Sequence, residues 1–201
     1  MRFDRCAAFV LATLTGAGAA GAGPPANASS AAPPADVQAP PGPISYPEDA
    51  SAQYRLGQMY QRGHGAPQDY GEARRWYLKA AGHDDAMAEF SLGVLAVRGL
   101  GAPKDDAEAV RWFRMAADQG VGAAQFNLGV MYMHSLGVRQ DYIKAYMWFS
   151  RASQQGEQGA KEALDDAAGK MAPAEIAIAE RLAKEWKPST WSLRVQSSGA
   201  F

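Results

Sequence analysis

The chain has 201 residues, a formal net charge of −1 and a single cysteine. Charged residues make up 20% and are mixed in sign, so the basic stripe of a nucleic-acid binder is missing. One cysteine excludes an intramolecular disulfide, and the length allows one medium domain with flanking segments.

Residues 1–22 read as a secretory signal peptide. Arg2 and Arg5 form a short basic start, Cys6 to Leu14 is almost wholly apolar, and Ala17-Gly18-Ala19 and Ala20-Gly21-Ala22 offer small-residue cleavage sites. Such a run is too short to span a bilayer comfortably. Phe3, Asp4 and Arg5 precede Cys6, which is not the setting of a lipoprotein cleavage site, so Cys6 reads as an apolar leader residue. The expected mature chain is periplasmic or secreted, with no stable membrane insertion. Residues 23–47 hold eight of the twelve prolines, which deny both helix and sheet and predict an extended tether.

From Glu48 the chain repeats itself in steps of 36. Ala52, Leu56 and Gly57 recur as Ala88, Leu92 and Gly93, then as Ala124, Leu128 and Gly129. Trp76 recurs as Trp112 and Trp148, and Ala80 as Ala116 and Ala152. A fixed period of this size is the mark of a solenoid.

In the first copy, helix A should run from about Asp49 to Arg62, with Ala52, Leu56, Met59 and Tyr60 on one face. Gly63-His64-Gly65 ends it and Pro67 keeps the chain extended. Asp69 opens helix B, with Glu72 expected to complete a capping box, and helix B runs through Ala73, Trp76, Tyr77 and Ala80 to Gly82. Gly99, Gly101, Pro103, Asp105 and Glu108 punctuate the second copy in the same way. The third keeps Gly137 and Asp141 but has Ser135, Arg139 and Lys144 where Gly, Pro and Glu stood, which predicts the least tightly specified loop.

Gly57, Gly93 and Gly129 each cost roughly 1 kcal/mol of helix propensity against alanine. Three equal penalties indicate a close approach of a neighbouring helix, and the indoles of Trp76, Trp112 and Trp148 are the expected fillers. A fourth copy starts with Ala160 and Leu164 and then changes. A last helix from about Ala174 to Lys187 carries Ile176, Ala179, Leu182, Ala183 and Trp186 on one stripe, as a solenoid cap would. Pro188 stops it, and residues 188–201 form a polar tail.

The repeat reads Ala-x-x-x-Leu-Gly-x-x-Tyr, Gly-x-Gly, then Asp-x-x-x-Ala-x-x-Trp-Tyr/Phe-x-x-Ala-Ala. It resembles the Sel-1-like repeat (SLR) family, relatives of the tetratricopeptide repeat. The resemblance implies an all-α solenoid of antiparallel helix pairs in a right-handed superhelix. It places three full repeats at about 50–85, 86–121 and 122–157, with a C-terminal capping helix pair at 158–187. It also implies a non-enzymatic scaffold or adaptor that binds another protein or peptide. Some bacterial members carry a cysteine pair in every repeat and have been linked to β-lactam chemistry. The repeats here carry no cysteine, so that link is not carried over. Ala96 stands where Tyr60 and Tyr132 stand.

Chemistry-bearing residues are sparse. His64, His83 and His134 form no ligand spacing with one another and read as solvated, so no metal or other cofactor is expected. Asp84-Asp85 and Asp105-Asp106 fall at helix starts, where acids complement the dipole, and Asp165-Asp166 reads as a solvated face. Gly-x-Gly at Gly63 and Gly99 follows helices, which suits capping rather than a phosphate cradle. Tyr54, Phe90 and Phe126 recur as repeat core. No catalytic residue is nominated, and an envelope hydrolase of the β-lactam or peptidoglycan type is the alternative for which no nucleophile motif is seen. Helix A usually lines the concave side of related solenoids, so the partner-binding candidates are non-repeating positions there: Arg55, Gln58, Val94, Asn127, Val130 and Met133. Contact with an adjacent repeat is the competing role for the apolar ones.

Overall fold

The computed structural model describes residues 49–188. The leader, the proline-rich tether and the tail beyond Pro188 lie outside the described residues. Eight helices follow one another among those described: α1 (Ala50–Arg62), α2 (Tyr70–Ala81), α3 (Ala86–Arg98), α4 (Asp106–Asp118), α5 (Gly122–His134), α6 (Tyr142–Gln154), α7 (Ala160–Ala168) and α8 (Pro173–Glu185). Each odd helix up to α5 is a helix A and each even one up to α6 a helix B. None is long and apolar enough to cross a membrane.

The helix starts follow from their caps. Asp69, Asp105 and Asp141 accept from the backbone N–H three residues on, at 3.0, 2.8 and 2.9 Å. The expected capping box at Glu72 does not form. The Asp69 N–H donates instead to the Tyr60 carbonyl (2.9 Å), and Glu72 turns outward to Arg75 (2.9 Å). Asp105 and Asp141 make the same return bond to Ala96 and Tyr132, so this link closes each hairpin at its loop. The third loop follows the path of the other two. Ser135 takes the left-handed conformation (φ 58°) and its Oγ donates to the Val138 carbonyl at 3.1 Å.

The filler beside each helix A glycine is not tryptophan but the ring one residue later. A Cβ placed on Gly57, Gly93 or Gly129 would sit about 2.5–2.7 Å from the rings of Tyr77, Phe113 and Phe149. One residue along a helix turns the side chain by about 100°. That rotation aims Tyr77, Phe113 and Phe149 at helix A and swings the indoles aside. The same three rings stack against Tyr54, Phe90 and Phe126, with centroids 5.6, 5.9 and 5.6 Å apart. Trp112 is half-buried and donates to Glu108 (3.0 Å), which also holds Arg74 of the preceding helix B (2.8 Å). Those bonds hold the Glu108 carboxyl below its ordinary range, the Trp112 N–H contributing most. Trp148 meets Trp186 edge-on at 6.0 Å, which ties the last helix to α6. Trp112 and Trp148 therefore join helix B to its neighbours along the stack.

Two further expectations are corrected. Met59 is exposed, because Gln53 and Gly57 take the buried stripe of α1. On α8, Ala179 and Ala183 are buried while Leu182 points outward beside Ile178. Small residues let this last helix lie close to α6.

The second glycine of each loop joins one repeat to the next. Gly101 (φ 72°) packs on the backbone at Tyr70, and Gly137 (φ 63°) on the backbone at Asp106, 36 residues on. A side chain at either point meets backbone that cannot yield, in a conformation L-residues avoid. Gly137→Ala should destabilise the fold by at least about 1–3 kcal/mol through overpacking. Urea denaturation followed by helicity is the check, with Gly120→Ala, where nothing lies within 4 Å, as the comparison for positive φ alone.

Candidate functional site

The A helices carry two cavities on their exposed side. The larger, of about 660 Å³, lies between α3 and α5; Val94, Val97 and Arg98 face Asn127, Val130 and His134, and Phe113 contributes to its wall. The smaller, of about 360 Å³, lies between α1 and α3 and includes Tyr54, Gln58, Phe90 and Ser91. Val94 lines both, so the two form one track across three repeats. The spacing explains the pairing of residues. Val94 and Arg98, like Val130 and His134, are four apart and share a helix face, and the 36-residue period sets the two pairs opposite each other.

Of the candidate residues, Gln58, Val94, Asn127 and Val130 are brought together around this track. Gln58 donates to the Tyr54 hydroxyl at 2.8 Å. Arg55 is exposed and belongs to neither cavity wall. Met133, only 1% exposed, packs into the main core. Val130 is 0% exposed and so supports the cavity from beneath. Asn127 is the distinctive one. It is 4% exposed, yet no described residue makes a hydrogen bond to its side-chain amide, which opens on the larger cavity. An amide offers two donors and an acceptor, the complement of a peptide group.

His134 departs from the solvated role expected of it, being half-buried in the wall of the larger cavity. His64 and His83 are exposed. Arg98 and Leu100 also escaped the sequence reading, although Arg98 follows Val94 by one helical turn. Lys104, on the rim, is held by Asp106 at 3.2 Å. The acid of the smaller cavity is Glu157, whose carboxyl burial pushes above its ordinary range. Among the described residues no group of three His, Cys, Asp or Glu side chains is placed to hold a metal ion.

Helix pairs in register, closed by ring-to-glycine contacts and presenting a track on one side, define an α-solenoid of the scaffold class. The Sel1 repeat model matches residues 50–85, 86–121 and 122–157, more than half of the chain, and the chain belongs to the Sel1 repeat family. Proteins of this family are generally protein-interaction scaffolds and are typically non-catalytic. Among solved structures, the chain is similar to a Sel1 repeat protein from Oxalobacter formigenes, at 33% identity and a TM-score of 0.57, over 58% of this chain and 48% of that one. It is also similar to c5321, a protective antigen present in uropathogenic Escherichia coli strains and displaying an SLR fold. That match has 27% identity and a TM-score of 0.50, over 77% of this chain and 42% of that one. The chain thus spans about half the length of these relatives. No curated protein matches it.

Burial separates two kinds of candidate. Met133→Ala should cost about 2–5 kcal/mol of stability, as truncation in a packed core does. Asn127→Ala should cost less than about 1 kcal/mol, because no internal hydrogen bond is lost with it. Denaturant midpoints of the two variants check this contrast.

Proposed function

We propose that this protein is an exported, non-catalytic adaptor that holds an extended segment of an envelope or signalling protein along the track on its A helices. The observation that carries this is the Asn127 amide, almost buried, without a hydrogen-bond partner among the described residues, and open to a cavity with apolar walls. Its two donors and one acceptor, open to the cavity, can pair with a peptide group of a bound segment. Val94 and Phe90 offer apolar seats on either side for alternate side chains of such a segment. Family membership supports the scaffold role, and the leader-like residues 1–22 followed by a proline-rich tether support export.

Peptide selection from a random library against the mature chain supplies a defined ligand, whose affinity is then measured by calorimetry. Asn127→Ala and Val94→Glu should each weaken binding at least about tenfold, roughly the worth of one such bond to a peptide group. Met115→Glu, on an exposed residue of α4 away from the track, should leave it unchanged. Binding that survives the first two changes and fails with the third puts the site on the B helices. Residues 1–47 fused ahead of alkaline phosphatase test export separately, since that enzyme is active only after translocation.

A further inference from the structure

The fourth residue after the N-cap position of helix A is polar and buried in every repeat: Gln53, Glu89 and Gln125. Gln125, 0% exposed, shows what the position does. Its Nε2 donates to the Ala117 carbonyl at the end of α4 (3.1 Å), and its Oε1 accepts from Gln155 at the end of α6 (2.7 Å). One side chain thus clasps the ends of two successive B helices to the helix A between them. Glu89, 1% exposed, stands 36 residues earlier and makes the matching second bond, accepting from Gln119 at the end of α4 (2.8 Å). The carbonyl equivalent to Ala117 is that of Ala81, at the end of α2. An amide can donate to that carbonyl. A carboxylate cannot, and a carboxylic acid can.

We propose that Glu89 is a proton-operated joint between the first and second repeats. As a neutral acid it donates to Ala81 and accepts from Gln119, as Gln125 does one repeat on. Ionisation breaks the donor half of the clasp and leaves a charge in a buried site. The charged groups that face it reinforce this. Asp84 and Asp85 come from the turn before α3 and Asp118 from the end of α4, and all are acids. The joint lies beside Phe90 and the smaller cavity, yet the proposal does not depend on what the track binds.

Burial, with smaller contributions from the three aspartates, pushes the Glu89 carboxyl from 4.5 up to about 7, against the lowering effect of the Gln119 bond. The folded chain therefore holds a proton that the unfolded chain releases between those values. Stability from this group is complete below about 4.5 and is lost as pH rises through about 7. Burial also raises Asp118 and Glu157, with the same sign, so only the difference between variants isolates Glu89.

The test is Glu89→Gln in the whole mature chain, by urea denaturation at pH 5 and pH 8. At pH 8 the variant should be more stable, its folding constant higher by at least about tenfold, with roughly 300-fold as the limit for that shift. At pH 5, just above the unfolded value, the gap should shrink to roughly fourfold. Equal effects at both pH values, or destabilisation at pH 8, would overturn the proposal. The wild-type protein gives a second readout that needs no folded variant. The ¹³C shift of the Glu89 carboxyl, assigned through its own side chain, should titrate near 7, and a midpoint between 4 and 5 would equally refute it.

Discussion

A ring laid on bare backbone sets the geometry of every repeat. Tyr77, Phe113 and Phe149 press on Gly57, Gly93 and Gly129 at a distance no side chain could share. The contact decides how near helix B lies to helix A, which face of B turns inward, and where the neighbouring residue points. Because the indole precedes the ring by one residue, it emerges on the flank of helix B and faces a neighbouring unit of the stack. Trp112 does so through Glu108 and Arg74, and Trp148 through Trp186. Closure within a repeat and adhesion between repeats are thus set by adjacent residues. The helix-propensity cost of the glycines, roughly 1 kcal/mol each, is offset by the aromatic area they allow to be buried.

Much of this was legible in the residues themselves. The 36-residue period located the repeats, and Asp69, Asp105 and Asp141 marked the starts of the B helices because a carboxylate there satisfies free N–H groups. Which of Trp76 and Tyr77 faces the glycine was not legible. Both are large and apolar, and only the rotational phase of helix B decides between them. The same limit applied on helix A. Val94, Val130 and Met133 are all apolar at non-repeating positions, and the pattern alone does not say that Met133 enters the core while Val94 stands at the junction of two cavities. Asn127 was legible because it differs from Arg55 and Ser91, its repeat equivalents, and it lines the larger cavity. Glu89 was not legible, because an acid in the first turn of a helix has an ordinary explanation in the dipole. The clue was comparative: its equivalents are glutamines, and buried ones.

The parts of the repeat that do not vary build the frame, and the parts that vary meet the track. Changes at Ser91 and Asn127 leave the ring-to-glycine contact untouched, so the lining of the cavities can vary without cost to closure. The buried polar position behaves differently. It varies between glutamine and glutamate inside a joint, so a difference of one atom type there bears on stability and its response to pH. A scaffold assembled from near-identical units acquires local behaviour at such points.

The account stands or falls on whether ring and glycine act as one unit. A double-mutant cycle on Gly93→Ala and Phe113→Leu measures this directly. The added methyl should be costly beside phenylalanine and nearly harmless beside the smaller leucine, giving a coupling of about 1–3 kcal/mol. Effects that add to within about 0.5 kcal/mol would mean that the two residues are energetically independent, and that the repeats are held together by something else.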